Sequence, residues 1–145
     1  MTRVDFHFNA PDKVGYGCRL VRKARRAGQN VVVCGADAAL LDRFDEALWT
    51  FSALDFIPHV WAHDPLAGQT PVVLTAPDGA AGALPHHEVL VNLGGAQPPW
   101  FSSFERLIEI VGDDEPDRAA ARERWKFYRD RGYALERHDL ATAGQ

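Results

Sequence analysis

Arg118, Arg122, Lys126 and Arg129 are the side chains whose spacing most plainly suits a chemical task. On a helix turning about 100° per residue they fall within an arc of about 80°. Trp125 stands beside them on the seam, while Ala120, Ala121, Phe127 and Tyr128 fall on the other, core-facing side. A helix from Asp117 to Tyr133 would offer four cations next to a flat apolar surface. That pairing suits a ligand with anionic groups and an apolar or aromatic end. The same spacing also describes a solvated basic face on a packed helix, and spacing alone leaves both readings open.

Other candidate chemistry fails on its parts. Gly15-Tyr16-Gly17 is followed by Cys18, so no G-x-G-x-x-G fingerprint follows the first strand. Gly94-Gly95 leads to Pro98-Pro99 and not to the Lys-Ser/Thr of a phosphate loop. Ala24 and Leu40 stand six residues after Cys18 and Cys34, where a phosphatase would need arginine. The serines, Ser52, Ser102 and Ser103, sit in no nucleophile elbow. His59 and His63 are four apart, yet Pro58 and Pro65 interrupt the helix that would make them joint ligands. His86-His87 lies in a Gly/Pro-rich stretch, and Asp45 and Glu46 point apart on one helix. No catalytic set converges, so no catalytic residue, no metal and no cofactor is expected. An enzyme built on His59 or on the His86-His87 stretch stands as a minor alternative.

The elements that position these residues read as follows. Val4 to Phe8 alternates Val4, Phe6 and Phe8 with Asp5 and His7, which predicts a strand. Val14 to Ala27 has helical periodicity, ends in Arg22, Lys23, Arg25 and Arg26, and is followed by Gly28 as its stop. Asn30 to Cys34 is a β-branched run of the kind covered on both faces, and Asp37 caps a helix running to about Thr50. Strand, helix, strand, helix opens an α/β fold with a parallel sheet. In the run from Phe51 to Trp61, Pro58 argues for an edge strand or an irregular loop. That placement leaves Trp49, Phe56, Ile57 and Trp61 near an open margin, to be covered by a partner or by the chain itself.

Further on, Val72 to Thr75 and Glu88 to Leu93 read as strands, joined by a mobile connection over Ala76 to His87. Trp100 to Leu107 is expected to be an amphipathic helix, with Phe101, Phe104 and Leu107 inward, followed by a strand from Ile108 to Val111. The acidic run before Pro116 favours the start of the last helix, Gly132 ends it, and Tyr133 to Leu135 is a last extended piece. Ala141 to Gln145 should fray.

The whole, residues 1–145, is expected to be a single domain, with 46% hydrophobic and 25% charged residues. A formal charge of −4 argues against a dedicated nucleic-acid binder, so any cationic surface must be local. Cys18 and Cys34 are too few for a disulfide scaffold and read as small buried hydrophobes. The N-terminus lacks a secretory apolar region and no apolar run reaches membrane-spanning length, which predicts a soluble, cytoplasmic protein with no membrane contact.

Two segments carry a resemblance to a known family. Phe44-Asp-Glu-Ala-Leu-Trp49 with Phe56-Ile-Pro-His59, and Ala121-Arg-Glu-Arg-Trp-Lys-Phe-Tyr-Arg129 with Gly132-Tyr133, resemble the chi subunit of bacterial DNA polymerase III holoenzyme. The resemblance covers essentially the whole chain. It implies a Rossmann-like three-layer α/β/α sandwich with a mostly parallel central sheet that lacks a nucleotide-binding glycine motif. It also implies a non-catalytic clamp-loader accessory in DNA replication. Such a subunit binds the acidic C-terminal tail of single-stranded DNA-binding protein (SSB), meets DNA only indirectly, and joins the clamp loader through the psi subunit.

Carried over by position, the SSB-tail site comprises Arg118, Arg122, Trp125, Lys126 and Arg129, with Trp125 where the family often has Tyr. A tail with aspartates, then Pro and a terminal Phe carboxylate, needs cations beside an apolar slot. The psi-facing surface transfers to Trp49, Phe56, Ile57 and Pro58. Direct binding of single-stranded DNA by the same cations with stacking on Trp125 is the alternative reading.

Overall fold

The structure, a computed structural model, describes residues 1–51, 56–77 and 84–141. Residues 52–55 of the Phe51–Trp61 run, 78–83 of the expected mobile connection over Ala76 to His87, and 142–145 of the end expected to fray lie outside the described residues.

Among the described residues seven strands form one sheet in which every pairing is parallel, in the order β3-β4-β2-β5-β6-β1-β7. They are β1 (Arg3–Ala10), β2 (Val31–Cys34), β3 (His59–Trp61), β4 (Val72–Thr75), β5 (Val89–Asn92), β6 (Arg106–Gly112) and β7 (Ala134–Asp139). Helices α1 (Lys13–Arg26) and α2 (Ala38–Thr50) pack on one face and α3 (Glu115–Asp130) on the other. The layering follows from the handedness of parallel crossovers. The connections through α1 and α2 both travel towards β3, so those helices share a face. The connection through α3 travels the opposite way, over β1 to β7, and lands on the other face. The expected α/β/α sandwich is what forms.

The interior strands β2, β4 and β5 carry apolar runs because both of their faces are covered, and Val31, Val32 and Val33 are all fully buried. β1 alternates as a strand between unlike layers does: Val4 and Phe6 pack under α3, while Asp5 and His7 face the α1 side. Burial, with His138 beside it, pushes the His7 imidazole down to about 4, so the ring is neutral at pH 7. Both cysteines are free and buried, and burial pushes the Cys18 thiol up to about 12.

Local chemistry sets the helix limits. The Asp12 carboxylate accepts from the Gly15 N–H, Asp37 accepts from Ala39 and Leu40, and Asp114 accepts from Asp117. Gly28 and Gly132 take φ of +77° and +80° just beyond α1 and α3, as stops in the left-handed region require. Gly17 serves a different purpose. A Cβ there would lie 2.7 Å from Cε2 of Phe44, a fully buried ring in the packed core. Gly17→Ala, which favours an exposed helix by about 1 kcal/mol, is therefore expected to destabilise this one by about 1–3 kcal/mol through overpacking. The midpoint of urea unfolding reads the sign.

One element differs from expectation. Trp100 to Leu107 is not an amphipathic helix: Phe101–Ser103 forms a single 3-10 turn and β6 already begins at Arg106. Pro98 and Pro99 stand immediately upstream, and Leu107 is claimed by the sheet, where it lies beside Val4 and Leu90. Pairing on both sides outweighs a short run of helical periodicity. The last strand is also longer than Tyr133–Leu135, because the open side of β1 extends the pairing to Asp139.

Candidate functional site

Helix α3 is held at a fixed rotation by a buried polar cluster. Arg124 and Glu109 are 3% and 0% exposed. The Arg124 Nε donates to Glu109 Oε1 at 3.1 Å, Asn92 Nδ2 donates to the same oxygen at 3.0 Å, and the Tyr128 hydroxyl donates to Oε2 at 2.6 Å. Arg124 also donates to the Gly95 carbonyl. Burial, with the Glu109 charge beside it, pushes the Tyr128 phenol well above its usual range, so it remains a donor. With Arg124 and Tyr128 turned inward, the helical period leaves Arg118, Arg122, Lys126 and Arg129 on the opposite arc.

Between that arc and the end of the sheet lies a cleft of about 410 Å³. Phe6 and Phe8 of β1 line it together with Val111, Ala121 and Trp125, and Arg118, Arg122, Lys126, Arg129 and Arg137 of β7 supply the charge. Trp125 is half-buried and meets Phe6 edge-on at 5.2 Å between ring centroids, so the indole is a wall of the cleft and not part of the interior. The Arg137 guanidinium lies 5.7 Å from the centre of the Phe8 ring, a cation–π contact. Among the described residues none of the lining is acidic, although the whole chain carries −4.

Three of the cations have carboxylate neighbours on α3 itself. Arg122 meets Glu115 at 2.6 Å, Lys126 meets Glu123 at 3.3 Å and Arg129 meets Asp130 at 3.1 Å. The Arg122 hydrogen bond and charge hold the Glu115 carboxyl below its usual range. All six side chains are well exposed, from 57% to 74%. Such exposed pairs are worth about 0–1 kcal/mol each.

The five residues predicted from sequence thus line one cleft, but the chain's periodicity did not supply the other half of it. Phe6 and Phe8 were legible as one face of a strand, yet their place beneath α3 follows from β1 lying next to β6. Arg137 enters from β7, a strand expected to end before it. Arg124 was missed, although a cation at the helical angle of Ala121 and Tyr128 and a Glu inside the apolar run of β6 were signals of a buried pair.

The second predicted patch divides. Trp49, Phe56 and Pro58 are exposed, Trp49 by 53% and Phe56 by 73%, and the two rings lie 5.7 Å apart beside the edge strand β3. Ile57 is 4% exposed and packs in the core, because residues of an extended segment alternate in direction. His59 is buried as well. Its Nδ1 lies 2.8 Å from the Ile57 carbonyl, and its Nε2 lies 3.1 Å from the carbonyl and 3.2 Å from the carboxylate of Asp45, so it holds the margin in place.

The crevice where nucleotides bind in open α/β sheets lies beyond strands whose connections depart in opposite directions, here β6 and β1. Lys13 spans it, donating to Asp117 Oδ2 at 2.9 Å and to the Leu93 carbonyl, while Asp117 also accepts from the Gly112 N–H at 2.7 Å. Side chains of the protein occupy the position that a glycine-rich phosphate loop would leave open.

Fold and site together define a Rossmann-like α/β domain with a spanned nucleotide crevice and a basic, aromatic-floored cleft under its last helix. A family model described as "DNA polymerase III chi subunit, HolC" matches residues 1–136. The "DNA polymerase III subunit chi" of Pseudomonas aeruginosa is 35% identical over 144 residues, covering 97% of this chain and 98% of that protein. Proteins of the same name from Escherichia coli and Haemophilus influenzae are each 28% identical, over 118 and 124 residues. The chain belongs to the DNA polymerase III chi subunit family. Among the described residues no helix is long and apolar enough to cross a membrane.

Proposed function

We propose that this protein is a non-catalytic accessory subunit of the DNA polymerase III holoenzyme that grips the acidic C-terminal tail of SSB in the α3 cleft. The observation that carries the reading is the joining of five cations to the rings of Phe6, Phe8 and Trp125 in one cleft. Aspartates of the tail would exchange with the exposed Glu115, Glu123 and Asp130, and its terminal Phe would lie between Trp125 and the β1 aromatics. The apolar slot then sets specificity, and the cations set association rate and salt sensitivity. The Trp49–Phe56–Pro58 margin would meet psi, linking the tail-bound subunit to the clamp loader.

Calorimetric titration with the last ten or so residues of the cognate SSB, at two salt concentrations, tests the reading. One-to-one binding that weakens with salt is expected, and absence of binding at low salt overturns it. Oligonucleotide titrated without SSB separates the alternative. Direct single-stranded DNA binding would give the steeper salt dependence of counterion release.

A further inference from the structure

On the face of the sheet opposite the cleft, two short motifs of the same form lie side by side. Asp5-Phe6-His7 is on β1 and Glu136-Arg137-His138 is on β7, and the parallel register pairs Asp5 with Glu136 and His7 with His138. Residues two apart on a strand share a face, so two carboxylates and two imidazoles form a two-by-two array. We propose that this array is a binding site for a divalent transition-metal ion of the zinc type, with Asp5, His7 and His138 as ligands and Glu136 beside them.

Ligand-capable atoms of Asp5, His7 and His138 all lie within 4.8 Å of one another. Bonds of about 2.0–2.2 Å in a tetrahedron need ligand separations of about 3.4 Å, a difference that rotation of the exposed His138 side chain can close. Two polar atoms of these residues are orphans. Asp5 Oδ1 and His7 Nε2 are buried without a hydrogen-bond partner, in residues only 1% and 8% exposed. Buried polar atoms are rarely left unpaired, so two in one group of ligand-capable residues call for a cause.

Their other atoms are already held as metal ligands are held. Asp5 Oδ2 accepts from Nε and Nη2 of Arg106 at 2.8 and 2.7 Å, which leaves Oδ1 as the oxygen available to a metal. His7 Nδ1 is bonded to the Tyr16 hydroxyl, and with Nδ1–H donating there, Nε2 presents its lone pair. The His138 ring lies 4.5 Å from that of His7 with its side chain 44% exposed, which provides an entry path from solvent. Glu136 Oε2 stands 3.8 Å from His138 Nε2. Arg106 and Lys23 are the opposing charges, and the second carboxylate offsets them in part. Imidazole with carboxylate is a donor set that zinc accepts, and the ion would clip the edge strand β7 to β1.

The test uses the untagged full chain, zinc ion alone as ligand, and thermal unfolding and calorimetry with and without a chelator. One zinc per chain and a rise in Tm are expected, because an ion that binds only the folded state stabilises it. Cobalt in its place should show the visible absorption of a tetrahedral nitrogen–oxygen site. His138→Ala, at an exposed position that leaves the core untouched, should weaken binding at least tenfold and abolish the Tm rise, while His87→Ala should change neither. Wild type without a zinc-dependent shift, or a shift that survives in His138→Ala, overturns the proposal.

Discussion

Changing Arg122 and Lys126 together to glutamate is expected to weaken binding of the SSB tail peptide by at least about 100-fold while the protein stays folded. Both side chains are exposed, by 57% and 59%, and their present partners, Glu115 and Glu123, are exposed too. The substitutions therefore remove little from the fold, within about 0.5 kcal/mol each. For the ligand, each reversal replaces an attraction with a like charge, and juxtaposed like charges cost several kcal/mol. At about 1.4 kcal/mol per factor of ten, two reversals reach the stated loss. A single Trp125→Ala exchange should weaken binding with little change in salt dependence, since it removes the wall and none of the charge. Binding by the double variant within about threefold of wild type would remove the α3 face from the site.

Glu109→Ala is expected to cost about 3–5 kcal/mol of folding stability, a large share of the 5–15 kcal/mol that holds a domain together. The reason lies in what remains. Glu109 is fully buried and receives Arg124, Asn92 and Tyr128. Without it Arg124 keeps a buried charge whose remaining named partner is the Gly95 carbonyl, and whose Nη2 is unpaired already. An uncompensated buried charge, more than the lost bonds, sets the size of the effect. Urea unfolding measures it, and a shift below about 1 kcal/mol would show that the cluster does not anchor α3. Because that cluster sets the rotation of α3, the folded fraction of the variant should also bind tail peptide more weakly.

Much of this molecule was legible along the chain, wherever the governing forces act between near neighbours. Asp37 caps α2 with its own carboxylate, Gly28 stops α1 with a φ few other residues adopt, and Pro58 precedes a strand that lies at an edge. The cationic arc of α3 is likewise a property of helical period. Ile57 shows the limit: it belongs to the same apolar run as Phe56, yet one faces the core and the other solvent.

What lay beyond that reach depends on pairing between residues far apart in sequence. The eight residues of Trp100–Leu107 fit a helix by period, but burial of Leu107 between β5 and β1 gave their end to a strand. Strand order placed Phe6 and Phe8 under a helix more than a hundred residues later, and brought Arg137 to the rim from the other side. The same adjacency set Asp5 and His7 against Glu136 and His138, which no spacing rule joins. Helix period and capping are settled over a few residues, whereas which strands become neighbours is settled by how the whole apolar surface can be buried at once.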